Sequence, residues 1–206
     1  MTAKHPVPVT LTGQHVRLEP LSRTHLPDLF EAGGRDEEVW RWLPVPAPQT
    51  EQELGALLDG LLAEVERGES VAFAVIRLDT GRAIGWTTYL AIHPQDEWLE
   101  IGWTWYGRSA WRSAVNTESK LLLLRHAFDE LGMGRVMWKT DHRNERSQAA
   151  IRRLGAQYEG THRRERRRAD GTWRDSVYFS MLADEWPAAR QHLSARLGEH
   201  LAPSAR

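Results

Sequence analysis

The chain predicts a mixed α/β (α+β) fold: a mostly antiparallel sheet of about seven strands flanked by helices. Three observations carry that expectation. VAFAVIRL (71–78), AIGWTTYLAI (83–92) and WLEIGWTWY (98–106) are successive apolar runs. The first two are joined by the turn Asp79-Thr80-Gly81-Arg82, the pattern of an antiparallel meander. A helical repeat then separates the third run from RVMWKTD (135–141), a connection long enough for a parallel crossover. Two further runs, 156–168 and 172–182, flank the hairpin turn Asp170-Gly171.

The remaining elements follow in order. Residues 9–18 read as a strand bent at Gly13, and Ser22 caps a short helix over 22–31. WRWLPVPAPQ (40–49) holds three prolines and reads as a loop. Thr50 and Glu53 form a capping box for a helix to about Arg67, with Leu54, Leu57, Leu58, Leu61, Leu62 and Val65 as its apolar stripe. The crossover helix opens at Asn116-Thr117-Glu118; Leu121, Leu124, Phe128 and Leu131 keep its period, and Gly132 and Gly134 end it. Asn144 caps NERSQAAIRRLG, closed by Gly155, and DEWPAARQHLSARL is a closing helix with Pro187 in its first turn. One domain over 9–190 is expected, followed by a helix end and tail at 191–206.

Composition narrows the function. Lys plus Arg at 27 against Asp plus Glu at 28 leaves a net charge of -1, so no global field draws the chain to nucleic acid or a membrane. Without cysteine there is no disulfide, no thiolate metal site and no Cys nucleophile. The nine histidines form no metal-binding spacing, and no metal is expected. No apolar run approaches the ~18 residues of a spanning helix, nor does the N-terminus resemble a signal peptide, so a cytoplasmic location is expected. HRRERRRAD (162–170) places charge on both faces of a strand beside a turn, which suits an exposed edge; an RNA-associated module is kept as a rival.

The densest chemistry lies between Glu100 and Phe128, where a strand feeds a helix through a loop bearing Arg108 and Arg112. Such a junction converges backbone N–H groups on one point and makes an anion site. Strand alternation puts Glu100 on one face with Trp98, Gly102 and Thr104. A carboxylate in so apolar a strand is either used in proton transfer or satisfied by an Arg or Lys.

The element order, with EIGWTW, WRSAVNTESKLLLLRHAF and NERSQAAIRRLGA, resembles the GNAT superfamily of acetyl-CoA-dependent N-acetyltransferases. More narrowly it is similar to the ribosomal-protein-alanine (RimJ/RimL-like) branch. The resemblance implies that the third meander strand splays from its parallel neighbour and offers Trp103, Thr104 and Trp105 to the pantetheine arm. It also implies that residues 111–116 hold the pyrophosphate. Here the family's glycines are replaced, with Ala114 and Asn116 in their places. A left-handed Ala114 would cost about 1–2 kcal/mol, so the loop is expected to keep helical dihedrals and to present N–H groups from Ser113, Ala114, Val115, Asn116 and Thr117. Arg108 or Arg112 adds a charged contact. Glu100 becomes the general base, Asn144 a helix cap or pantetheine contact, and Ser147 the acid for the leaving thiolate or only a helix-terminus hydrogen-bonder. Ile151 stands where many relatives carry a catalytic tyrosine. Trp40 and Trp42 are placed as walls of an acceptor pocket. The implied reaction is direct acetyl transfer from acetyl-CoA to a primary amine, a protein N-terminus by analogy with the branch. A small amine acceptor and a non-catalytic acyl-CoA sensor remain alternatives, and a homodimer is left open.

Overall fold

The computed structural model describes residues 2–201; the expected tail beyond Leu201 lies outside the described residues. Eight strands, one more than expected, form a single sheet in the order β1-β2-β3-β4-β5-β6-β8-β7. They are β1 (Leu11–Thr12), β2 (Val16–Pro20), β3 (Val71–Arg77), β4 (Ala83–His93), β5 (Trp98–Tyr106), β6 (Arg135–Asp141), β7 (Gln157–Arg167) and β8 (Trp173–Leu182). The extra strand arises because the bend at Gly13 is a full turn, closed by the Gly13 N–H on the Val16 carbonyl at 2.9 Å. Glu118, buried on the crossover helix, accepts the backbone N–H groups of Gln14, His15 and Val16, each at 2.7 Å. A Cβ on Gly13 would lie 2.4 Å from that carboxyl carbon, so only glycine leaves room.

Among the described residues six α-helices flank the sheet: α1 (Leu26–Leu29), α2 (Glu37–Trp40), α3 (Glu51–Glu66), α4 (Ala114–Arg125), α5 (Glu145–Arg153) and α6 (Trp186–Leu201). The Thr50 hydroxyl accepts the Glu53 N–H at 3.1 Å, so α3 starts where its capping box predicts. Helix α2 was not expected: Asp36 caps it through the Glu38 N–H at 3.1 Å, and the proline-bearing loop begins only after it.

Two apolar layers result. On one face α1, α2 and α3 pack Leu29, Trp40, Leu54 and Leu58 against Ala72, Ala74, Trp86 and Trp105. On the other, Leu122, Leu123, Trp186 and Leu193 of α4 and α6 cover Phe73, Leu99, Ile101, Val136 and Phe179. The first layer covers the sheet only as far as β5. The same face of β6, β8 and β7 stays open, with Arg135, Lys139, His162 and Tyr178 along it.

All neighbouring strands are antiparallel except β5 and β6, which pair in parallel over three rungs ending at Glu100–Met137. Beyond that rung each follows its other neighbour. β6 keeps a continuous register with β8 from Arg135–Leu182 to Asp141–Ser176, whereas β5 stays with β4 to Tyr106. The sheet therefore opens into a V whose two arms present unpaired strand edges.

Replacing Glu118 by Ala should strand three backbone N–H groups, that of Val16 buried and those of Gln14 and His15 partly so, and lower unfolding stability by about 1–3 kcal/mol. Urea denaturation checks this, and Gly13→Ala should fall in the same direction.

Candidate active site

The V owes its shape to a bulge in β5. Trp103 takes φ +49, a left-handed conformation. Pairing with β4 consequently slips from Thr88–Gly102 to Trp86–Trp105. One extra residue on a strand adds local twist and reverses side-chain direction beyond it. Thr104 therefore does not share the face of Glu100, as strict alternation predicts; it points toward α4. There its hydroxyl meets Thr87 at 2.7 Å, and Lys120 Nζ donates to Thr87 and Thr104 at 3.1 and 2.9 Å. Trp103, Thr104 and Trp105 lie on the arm of β5 that has no strand partner toward β6, the place the pantetheine arm was assigned.

Lys120 was not singled out from sequence. It is buried beneath the bulge with only hydroxyl partners, and desolvation lowers its pKa from 10.5 to about 7. It ties α4 to the two strands that form the bulge, and so fixes where the backbone of Trp103 and Thr104 sits.

Glu100 occupies the last paired rung. The residue is 3% exposed, and its Oε2 lies 3.1 Å from Lys139 Nζ on β6. Burial raises its pKa, while the nearby charges of Lys139 and Arg174 oppose the rise. The carboxylate thus has a lysine partner and still keeps a raised affinity for a proton. Gly102 makes its space, since a Cβ there would come within 2.8 Å of Glu100 Oε1. The carboxylate opens onto a cavity of about 450 Å³ on the open face, walled by Trp98, Lys139, His162 and Tyr178. The Tyr178 hydroxyl donates to Glu165, and burial with that carboxylate raises its pKa.

At the head of the V, α4 begins at Ala114, two residues earlier than its expected opening. Ser113 is the N-cap, its hydroxyl accepting the Val115 N–H at 3.3 Å. The loop does not keep helical dihedrals throughout: Arg112 takes φ +59, so the left-handed step falls just ahead of the helix and spares Ala114. Such a step costs a non-glycine residue about 1–2 kcal/mol. Arg112 is exposed and pairs with no carboxylate among the described residues, leaving it available to an anion. Arg108 is not free in this way, because its guanidinium is engaged by Asp36. Ala114 and Val115 are buried under the turn, while Asn116 and Thr117 are half-buried at its edge.

The facing wall is the start of α5. Asn144 caps it, accepting the Ser147 N–H at 3.0 Å. Ser147 is half-buried, and its hydroxyl has no hydrogen-bond partner among the described residues. Arg146, which sequence reasoning missed, lies 3.7 Å over the Trp111 ring and bridges the two walls. Trp40 departs from its expected role: it is 2% exposed in the core between Trp86 and Trp105, with its indole N–H on the Gly33 carbonyl at 2.8 Å. Trp42 does reach a surface cleft, beside Arg41, Arg168 and Arg174.

Residues 15–157 match the model of the acetyltransferase (GNAT) domain. The chain belongs to the GNAT acetyltransferase family. A GCN5-related N-acetyltransferase from Brucella melitensis is 32% identical, with 100% of this chain and 93% of that one covered at a TM-score of 0.91. A protein of T. thermophilus assigned as an acetyltransferase is 42% identical over 93% of this chain and 98% of that one, at a TM-score of 0.84. RimJ of Mycobacterium smegmatis, in complex with CoA-disulfide, shares the fold at 22% identity over 92% and 95% of the chains, with a TM-score of 0.79. No curated protein sequence matches the chain.

GNAT enzymes take acetyl-CoA as acetyl donor, and the residues present fit it. The arms of the V leave strand edges unpaired beyond Glu100–Met137. The first-turn N–H groups of α4 lack intrahelical acceptors, and Arg112 stands beside them. Among the described residues no cluster of side chains could hold a metal ion, and no helix is long and apolar enough to cross a membrane.

Because the Lys120 pKa is depressed only in the folded chain, the unfolded chain binds the extra proton between about pH 7 and 10.5. Stability should therefore rise with pH across that window, by up to about 1.4 kcal/mol per pH unit. Lys120→Met should abolish this slope in unfolding titrations.

Proposed function

We propose that this acetyltransferase moves the acetyl group directly to a primary amine presented from the open face, the amine of a polypeptide N-terminus, with Glu100 as general base. The observation that carries the reading is the position of Glu100: a buried carboxylate at the apex of the V, open on one side to the cavity. Acetyl-CoA supplies an activated thioester. The chain's own residues then have three tasks. The backbone of Trp103–Trp105, set by the Trp103 bulge and held from below by Lys120, orients donor groups at the reacting carbonyl. Arg112 and the N–H groups of Ser113–Thr117 hold the phosphate end. Glu100 takes the proton from the attacking ammonium, which must be lost before nitrogen can bond to carbon.

A raised pKa suits that task, because a carboxylate of ordinary pKa is a weak base toward an ammonium. Ser147, on the wall across the V with a hydroxyl that has no hydrogen-bond partner among the described residues, is the residue we assign to give a proton to the departing thiolate. The thiol pKa near 8.5 makes that assistance modest. No cysteine is present to form an acyl-enzyme. The polypeptide acceptor is supported by likeness to RimJ and by the open, helix-free face beside β6 and β8, which leaves room for an extended chain. A small amine is the second reading, favoured by a cavity of about 450 Å³ that matches small-ligand sites in size.

With acetyl-CoA and a panel of peptides and small amines, release of CoA should follow one class of acceptor. Glu100→Gln should lower kcat by about 10²–10⁴-fold while acetyl-CoA binding, followed by thermal shift, persists. In the parent enzyme kcat should rise with pH through a value above that of an ordinary carboxylate, and Glu100→Gln should lose that rise. Full activity in the variant would remove Glu100 from the mechanism. Gly102→Ala should also slow turnover, by displacing the carboxylate.

A further inference from the structure

Along the open face from Glu100, a cleft lies between residues 41–44 and the β7–β8 hairpin, whose Arg166, Arg167, Arg168 and Arg174 lie beyond the residues that match the family model. Its walls carry Arg41, Arg166, Arg167, Arg168 and Arg174 against one carboxylate, Asp141. Most of these cations are committed. Arg168 holds Asp141 through two hydrogen bonds of 2.6 and 2.9 Å, and Asp141 also accepts the Arg143 N–H at 2.9 Å. Arg41 pairs with Glu38 at 3.3 Å, and Arg167 donates to the Gly171 carbonyl at 3.0 Å.

Arg174 is different. It is 7% exposed, its Nε donates to Ser176 Oγ at 2.9 Å, and neither Nη nitrogen has an acceptor among the described residues. These outer nitrogens are not sealed from solvent, so they can donate to an incoming group, although the carboxylates of Asp141, Glu165 and Glu100 also act on the guanidinium. The register adds a second cation beside it. A slip in β7 between His162 and Arg166 brings Arg166 directly opposite Arg174 on the neighbouring strand. Like charges in that relation repel, and Arg166 has no carboxylate partner among the described residues either. A bound anion relieves that repulsion and gives the outer Arg174 nitrogens an acceptor. The charge of Arg174 is also felt at Glu100.

We propose that Arg174 and Arg166 bind a carboxylate carried by the amine acceptor, so that the enzyme selects acidic acceptors. The inference rests on the acetyl-transfer reading, with the acceptor amine at Glu100. A guanidinium fork matches a carboxylate in two parallel hydrogen bonds, which fixes orientation as well as charge. Two sources supply this chemistry: an acidic side chain close to a peptide's N-terminus, or the α-carboxylate of a free amino acid.

Calorimetric binding to the CoA-loaded enzyme tests the proposal without requiring turnover. The probes are Ser-Glu-Ala-Ala amide against Ser-Gln-Ala-Ala amide, and alanine against alaninamide. One acid should bind about tenfold or more tightly than its uncharged counterpart, and the pair that discriminates names the source. In Arg174→Gln the difference should fall below about twofold, with a partial fall in Arg166→Gln, an exposed position where misfolding is not a concern. Equal binding of acid and amide in the parent enzyme would overturn the proposal, as would a preference that survives Arg174→Gln. A loss of affinity for acid and amide alike, with a lowered melting temperature, would make Arg174 structural and overturn it too. CoA release measured on the same amines keeps the two readings apart. Equal acetylation of acid and amide sinks the selectivity alone. A carboxylate preference in binding with no CoA released from any amine sinks the proposed reaction alone.

Discussion

Three rungs of parallel pairing between β5 and β6 are the constraint on which the site depends. Their strands are each bound more extensively elsewhere, β5 to β4 and β6 to β8, and those two ladders diverge because the left-handed Trp103 twists β5 away from its parallel neighbour. If the parallel ladder continued, the backbone groups of residues 101–106 would be consumed in the sheet. If it were absent, Glu100 would lose the neighbouring strand that supplies Lys139. The apex of the V is thus the place where a ligand can add to both strands and still meet a buried carboxylate.

The polar groups buried around this opening divide into two kinds. Glu118 is saturated by three backbone N–H groups and anchors the first hairpin to α4. Lys120, two residues on, has only hydroxyl partners and sits under the bulge with a depressed pKa. One fixes the helix to the sheet; the other fixes the bulge to the helix. The opposite face has no such support, because α1, α2 and α3 stop at β5. What remains exposed there is a polar surface of β6, β7 and β8 onto which an acceptor can settle.

Much of this was legible in the sequence. The meander, the crossover and the terminal hairpin follow from turn chemistry and period, and Glu100 stood out because a carboxylate interrupts an apolar strand. The misses have physical causes. Nothing in the local sequence marks a tryptophan for a left-handed conformation, so the bulge, and with it the direction of Thr104, was invisible to simple alternation. The replaced glycines at 114 and 116 suggested a loop without a left-handed step, whereas the step moved to Arg112 and the helix began earlier. Lys120 did leave a signal, a cation three and four residues before Leu123 and Leu124 on a buried helix face. Arg174 left none, since the cleft it lines is shared with residues 41–44, far away in sequence.

Amide hydrogen exchange measured with and without acetyl-CoA bears most directly on the claim that the V holds the donor. The account predicts new protection at residues 101–105 of β5 and at 112–117 of the α4 loop, with β1 and β2 unchanged. Protection that appears elsewhere and leaves residues 101–105 exchanging as before would contradict it.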